Sequence, residues 1–372
     1  MPFRQESGAV GGQRSKQRSA RIKGDMANEH NRTYRYRTGN LELDAKIAEL
    51  VAAYDSNKDA DLLTEMLTAC FRINREGSDR GEMKLVNSAL KEFAYAFKVF
   101  REYRGVRKLS IFGSSRLTSE DPNYDHAREF AATMAARGWM VITGAGPGIM
   151  EAGHQGAGAS QSFGANIRLP LNEPNVIIDG DPKLINFKYF FTRKVTFLKE
   201  SHAFVLFPGG FGTLDEAFEL LTLMQNGKSD LHPVVLLEAH GGSYWAGWRR
   251  FVHEQLIGRR LISESDLSLL CITDSIDTAV AEIEGFYRNY QSQRYVRGTL
   301  VLRVLRLPPE EDMARLSGEF ADIIHSGALR TVEPHPDEVA ENDALDCQRI
   351  ALDFAQRDYG RLRGIINTLN RY

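Results

Sequence analysis

The 372-residue sequence predicts an α/β protein: a doubly wound parallel sheet with an N-terminal helical arm and a small C-terminal α+β unit. Three observations carry that expectation. Short, continuous apolar runs alternate with longer stretches of helical period, the pattern of parallel strands covered on both faces. Three of those runs end in loops of small residues, at Gly113-Ser114-Ser115, at Gly144-Ala145-Gly146-Pro147-Gly148 and at Pro208-Gly209-Gly210-Phe211-Gly212-Thr213. In such sheets ligands bind outside the carboxyl ends of the strands, so three small-residue loops at strand ends point to one phosphate-bearing ligand.

Composition narrows the function classes. Apolar residues make up 42% and charged residues 26%, as in ordinary globular proteins. A net charge of −2 gives no global attraction to nucleic acid or membrane. No apolar run approaches the roughly 18–20 residues that span a bilayer. The three cysteines, Cys70, Cys271 and Cys347, lie far apart, which suits a reducing compartment and a cytoplasmic location, not a disulfide framework or a zinc site.

Along the chain, residues 1–40 read as a disordered basic tail, with nine Lys/Arg against three Asp/Glu over residues 1–37. A solvated extension is the better reading of it than a nucleic-acid arm. Residues 41–105 read as a helical arm. Leu43, Ile47, Leu50, Val51 and Tyr54 share one helix face, Leu63, Met66, Leu67, Cys70 and Phe71 a second, and Val86, Leu90, Phe93, Phe97 and Phe100 a third. Such stripes are core or partner-facing positions. The main domain, 106–295, opens with a strand at 107–112, then a helix with Asp121 as N-cap and Pro122 at its first position, then a strand at 139–143. Further strands are expected at 163–169, 203–207, 233–238 and near 269–272, with helices from about 149, over 186–200, after the 208–213 loop, at 244–255 and at 275–290. The last unit, 296–372, reads as strands at 300–305, 329–332 and 349–354 with helices at 309–324 and 359–369. It is acidic, with eleven Asp/Glu against two Lys/Arg over 310–346, and shows no chemistry of its own.

The centre of the chain is the apolar run Ala203–Phe207, the glycine turn and the helix after it. Glycines let backbone N–H groups approach a ligand closely, and the helix start adds unpaired donors and partial positive charge, which suits a phosphate. The plain structural reading is a tight turn closed by a capping box, Thr213 as N-cap and Glu216 three residues on. Two standard nucleotide motifs fail. Gly144-x-Gly146 lacks the third glycine of a dinucleotide fingerprint, since position 149 is Ile. Gly227-Lys228-Ser229 ends like a Walker loop, but Thr222 stands where its first glycine should be, and the segment follows a helix.

Pro208-Gly209-Gly210-Phe211-Gly212-Thr213-Leu214-Asp215-Glu216 resembles the PGGxGTxxE signature of the LOG family, the cytokinin riboside 5′-monophosphate phosphoribohydrolases, once labelled possible lysine decarboxylases. Thr192-Arg193-Lys194, the Gly113 turn and the run Gly144–Glu151 match its remaining motifs in order and spacing, over about residues 106–295. The flanking segments make this a long form. The resemblance implies a Rossmann-like domain that hydrolyses the N-glycosidic bond of AMP or an N6-modified AMP to free base and ribose 5-phosphate. It implies Arg193 and Glu216 as catalytic residues. The phosphate would fall to Gly209, Gly210, Gly212 and Thr213, assisted by Ser114 and Lys194. Gly113, Gly144, Gly146, Gly148, Met150 and Glu151 would lie near ribose and base, with Glu151 standing where short members carry glycine. Neither metal nor cofactor is required. The expected partners are a nucleoside monophosphate and a second copy of the chain, as a homodimer or higher oligomer, with no membrane and no nucleic acid. The competing reading is a carrier or sensor of the same fold that binds without turnover, similar to molybdenum-cofactor carriers. Arg193 and Glu216 favour the enzyme, since binding a phosphate does not call for both.

Overall fold

The computed structural model describes residues 36–54, 59–170 and 173–372. The basic tail therefore lies almost wholly outside the described residues. The chain divides into two compact units, 1–88 and 89–372.

In the first unit, α1 (Leu41–Ala53) is capped by Asn40, whose side chain accepts from the amides of Glu42 and Leu43. It is followed by α2 (Ala60–Arg75) and the start of α3 (Arg80–Arg101). The expected apolar faces are only partly covered. Ile47 and Val51 are buried, whereas Leu50, Tyr54, Met66 and Phe71 are exposed.

The second unit is built on a seven-stranded parallel sheet of order β4-β3-β2-β1-β5-β6-β7. Its strands are β1 (Lys108–Phe112), β2 (Met140–Thr143), β3 (Ser162–Ile167), β4 (Leu184–Phe187), β5 (Ala203–Leu206), β6 (Val234–Leu237) and β7 (Cys271–Thr273). β1, β2, β3, β5 and β6 are buried along their whole length, which is why they read as apolar runs without alternation. Helices α4 (Pro122–Ala136), α5 (Ile149–Ala157) and α9 (Ile276–Phe286) cover one face around Phe130, Met134, Val141 and Val205. On the other face lie α6 (Phe190–Glu200), α7 (Phe211–Gln225) and α8 (Tyr244–Phe251), whose core runs on into a second sheet. That sheet is antiparallel, order β10-β11-β9-β8, with β8 (Tyr290–Val296), β9 (Thr299–Val304), β10 (Ile324–Thr331) and β11 (Gln348–Phe354). Around it are α10 (Glu310–Glu319), α11 (Pro336–Glu341) and α12 (Tyr359–Leu369).

Two expectations need correction. The stretch from Asn186 was read as helix, but Leu184–Phe187 is strand β4, paired with β3, and α6 begins only at Phe190. The helix expected to reach Tyr290 ends at Phe286, and Tyr290 opens β8, an edge strand of the second sheet. Both strands are short or half-covered, so neither shows the unbroken apolar run that marked the central strands. Among the described residues no helix is long and apolar enough to cross a membrane.

Candidate active site

In strand order the chain reverses direction of winding between β1 and β5, so the loops after those strands part and leave a crevice. Hydrogen bonds tie the three small-residue loops together there. The Ser114 amide donates to the Pro208 carbonyl at 3.1 Å, and the Ile149 amide donates to the Ser114 carbonyl at 3.0 Å. This second contact depends on Gly148, whose φ is +70° and whose missing Cβ would stand 2.4 Å from the Ser114 oxygen. The 208–213 loop is held from its far side by Tyr244, whose hydroxyl donates to the Gly209 carbonyl at 2.6 Å.

The result is a cleft of about 690 Å³. Of the residues named from the sequence, Gly113, Ser114, Gly144, Met150, Arg193, Gly210, Gly212, Thr213 and Glu216 line it. Gly209, Gly146 and Gly148 are not among its lining residues; Gly146 and Gly148 are buried and Gly209 is half-buried. Two side chains are placed elsewhere. Glu151 accepts a hydrogen bond from Gln155, one turn on. Lys194 reaches across to α7 and pairs with Asp215 at 2.7 Å and Glu219 at 2.6 Å. Burial alone would lower the Lys194 pKa, but those hydrogen bonds outweigh it and hold it above its ordinary value. It is a strut between α6 and α7, not a cation facing the cleft.

The capping reading of the glycine turn is also corrected. α7 begins at Phe211 with Gly210 as N-cap and no side-chain cap, three residues earlier than Thr213 as N-cap would set it. The Thr213 amide already donates to the Gly210 carbonyl at 3.1 Å, so the group Thr213 has left for a ligand is its hydroxyl. The open amides of the first turn are those of Phe211 and Gly212, which have no carbonyl a turn behind them.

Glu216 and Arg193 face one another across the cleft. Their closest approach is 3.8 Å, an ion pair with no hydrogen bond. Burial pushes the Glu216 carboxyl up to about 7, against the pull of the Lys194 and Arg193 cations. Burial likewise holds Arg193 below its ordinary value, while Glu216 and Asp215 pull it the other way. The guanidinium stays charged all the same. It lies against the rings of Phe190 and Phe197, 4.9 and 5.8 Å from their centroids, and its Nε is buried with no hydrogen-bond partner among the described residues. Asp215, one residue before Glu216, points to Lys194 instead, as adjacent positions on a helix must diverge.

Several cleft residues escaped the sequence reading. Arg116 lines it beside Ser114, whose Oγ accepts from the Arg116 amide at 3.1 Å. Among the described residues no carboxylate pairs with its side chain. A cation directly after the Ser-Ser turn of β1 was the available signal. Leu169, Phe190 and Phe211 give the cleft an apolar rim, and Phe211 is 93% exposed. Nothing in local periodicity marks a rim residue. A pyridoxal phosphate site would need a lysine for its Schiff base, and the lining side chains include none.

Part of this site lies in a stretch that resembles known proteins. Residues 141–283 match the family model described as possible lysine decarboxylase. The pyrimidine/purine nucleotide 5′-monophosphate nucleosidase of Escherichia coli K12 is 31% identical over 123 residues, 30% of this chain and 27% of that protein. The chain thus spans only about a quarter of that relative's length. The cytokinin riboside 5′-monophosphate phosphoribohydrolase of Mycobacterium tuberculosis is 28% identical over 156 residues, 41% of this chain and 81% of that one. A probable enzyme of the same name from Oryza sativa is 26% identical, covering 48% and 84%. Among solved structures, the molybdenum cofactor binding protein of Rippkaea orientalis covers 47% of this chain and 93% of its own at 18% identity, with a TM-score of 0.35, too low to bear on function. Family model, relatives and loop motifs agree on one stretch of the molecule, and the parallel-sheet domain is similar over it to the possible lysine decarboxylase family and to the cytokinin riboside 5′-monophosphate phosphoribohydrolases.

Proposed function

We propose that the protein hydrolyses the N-glycosidic bond of a nucleoside 5′-monophosphate, AMP or an N6-modified AMP, to free base and ribose 5-phosphate. The observation that carries this reading is the pair at the centre of the cleft: a carboxylate held near neutrality by burial, set against a fixed arginine, within one helix turn of open backbone amides. Breaking the bond between C1′ and the base nitrogen builds positive charge on the ribose. Ionised Glu216 stabilises that charge and takes the proton of the water whose oxygen bonds to C1′. The base leaves with the bond's electron pair and takes up a proton from solvent, while Glu216 returns the water's proton to solvent, so that one water is consumed. Arg193, a poor proton donor, orients the substrate. The amides of Phe211 and Gly212, the hydroxyls of Thr213 and Ser114, and Arg116 form the phosphate end, in place of Lys194.

The names of the relatives support this reaction class, and the retained arginine and glutamate support turnover over mere binding. A homodimer or higher oligomer belongs to the same reading. It is supported by the exposed Phe97 of α3 and Phe191 and Val195 of α6, two helices joined by a hydrogen bond from Thr192 to Glu92. Sedimentation would read it directly. So do a cytoplasmic location and a division of labour in which 106–295 carries the chemistry.

The test is to incubate the protein with a panel of nucleoside 5′-monophosphates and assay ribose 5-phosphate. Release from AMP that Glu216→Ala and Arg193→Ala each abolish supports the reading. Binding of AMP by calorimetry with no release from any nucleotide would favour a carrier or sensor.

A further inference from the structure

We infer that Asn175 and His154 are positioning residues of the cleft, holding the 144–148 loop in the conformation that presents Met150 and Arg193 to substrate. The inference rests on the hydrolase reading and adds to it two side chains that do not line the cleft.

The loop is held against its own preference. Ala145 sits at φ +61°, the left-handed region that a residue with a Cβ adopts at a cost on the order of 1 kcal/mol, and it is wholly buried. A hydrogen-bonded network fixes it there. The Asn175 amide donates to the Ala145 carbonyl at 2.8 Å, and its side-chain nitrogen donates to the Gly146 carbonyl at 3.0 Å. The Ala145 amide donates to Thr143 Oγ1 at 3.0 Å. His154, with no exposed surface, closes the network from α5.

The roles of the imidazole nitrogens follow from their partners. Nε2 has the Thr143 hydroxyl at 3.0 Å and the Phe163 carbonyl at 3.1 Å; the carbonyl can only accept, and a hydrogen on Nε2 is the arrangement that satisfies it. Nδ1 of the neutral ring is then an acceptor and takes the second hydrogen of the Asn175 side-chain nitrogen, 3.1 Å away. Both Asn175 hydrogens are thereby committed, one to the ring and one to the loop. In this orientation of the amide its oxygen also lies 3.2 Å from Nδ1. Burial lowers the His154 pKa, in keeping with a neutral ring.

The loop in turn sets the cleft floor. A Cβ at Gly144 would stand 2.8 Å from Met150 Sδ and 3.8 Å from Arg193 Nη1, and one at Gly146 would stand 2.8 Å from Met150 Cε. The loop backbone is thus in contact with Met150 and beside the guanidinium. A shift of the loop by an ångström moves the surface that meets the ribose and base. Among the described residues no direct hydrogen bond joins the network to the 208–213 loop, where the phosphate is held.

That separation supplies the test. Asn175→Asp keeps the shape but cannot donate to the Gly146 carbonyl. His154→Leu removes the ring's donor, and His154→Gln restores an amide donor in its place. AMP hydrolysis, inhibition by inorganic phosphate and the urea midpoint are measured on each full-length variant. The expected result is a fall of at least tenfold in kcat/KM for AMP in Asn175→Asp and His154→Leu, partial recovery in His154→Gln, and a phosphate inhibition constant within twofold of the parent. Turnover within twofold of the parent in folded variants overturns the inference. So does a matched loss of phosphate inhibition and activity, or a failure of all three to fold, since either makes the network a general folding element. A parent that releases ribose 5-phosphate from no nucleotide sinks the hydrolase reading itself, and this inference with it.

Discussion

At the scale of single residues, the site is a problem of charge taken out of water. Glu216 titrates near 7 in the folded chain, against an ordinary value of 4.5. If its carboxylate form does the work, kcat/KM for AMP should fall on the acid side with an apparent pKa near 7, read from a pH–rate profile. A limb near 4.5 instead would show that burial does not control it. The same shift has a consequence for stability. A carboxyl that binds its proton more tightly when folded makes the protein lose stability as pH rises from about 4.5 to about 7, by up to ~3 kcal/mol at full ionisation. Arg193, at 3.8 Å and without a hydrogen bond, does not make good that loss. Glu216→Gln is therefore expected to raise the urea midpoint at pH 8, to leave it unchanged at pH 4 and to remove turnover. Arg116 carries the other charge question. With no acid to hold it among the described residues, its loss should cost the fold little. Arg116→Ala is expected to weaken inorganic phosphate inhibition about tenfold, the worth of a charge-assisted hydrogen bond, with an unchanged unfolding midpoint. Equal inhibition of parent and variant would remove Arg116 from the phosphate end.

At the scale of elements, what makes the cleft is the join between loops. The Ser114 carbonyl accepts from the Ile149 amide only because Gly148 brings its backbone against it. Gly148→Ala adds a Cβ 2.4 Å from that oxygen and strains a residue at φ +70°, so the β1 and β2 loops must part. The expected outcome is a loss of about 1–3 kcal/mol in urea unfolding and of nearly all turnover. Retained activity would mean that the join is not needed. This level of the structure was legible in the sequence where the backbone itself supplies the function. Glycines at strand ends were readable because loop geometry restricts which residues fit, whereas Arg193 and Glu216 stood out only through the resemblance to the LOG motifs. Lys194 was misread for the opposite reason. A long cation can turn to either side of its helix, and only the packed position of Asp215 and Glu219 decides which. β4 was missed because Leu184–Phe187, covered on alternate residues, offers too few positions to show a period. Asn175 was missed because its importance lies in two carbonyls about 30 residues away in sequence, on a loop its own neighbourhood does not foretell.

At the scale of the whole molecule, the question is whether the second sheet is an appendage. The core argues against it within the unit 89–372. One continuous apolar cluster runs from Phe204, Leu206 and Leu236 of the parallel sheet through Phe286 and Tyr290 to Leu302, Ile350 and Ile366 of the second sheet and its helix. The seam is also bonded by a buried asparagine. The Asn370 side-chain oxygen accepts from the amides of Asn289 and Tyr290, and its nitrogen donates to the Phe286 carbonyl. Asn289 answers by donating from its side chain to the Leu369 carbonyl at 2.8 Å. The end of α12 is thus fastened to the point where the chain leaves α9 for β8. Asn370→Ala leaves two amides and a carbonyl buried without partners, a cost of about 2–4 kcal/mol after partial rearrangement. If the two sheets unfold as one, that cost falls on both. Hydrogen exchange under mildly destabilising urea should then show the amides of β1 and β5 accelerating by the same factor as those of β9 and β11. Acceleration confined to β8–β11 would show that the second sheet opens on its own. The parallel-sheet domain would then keep its cleft without it, and the acidic unit would be a detachable module, not part of the frame that sets the distance between Arg193 and Glu216.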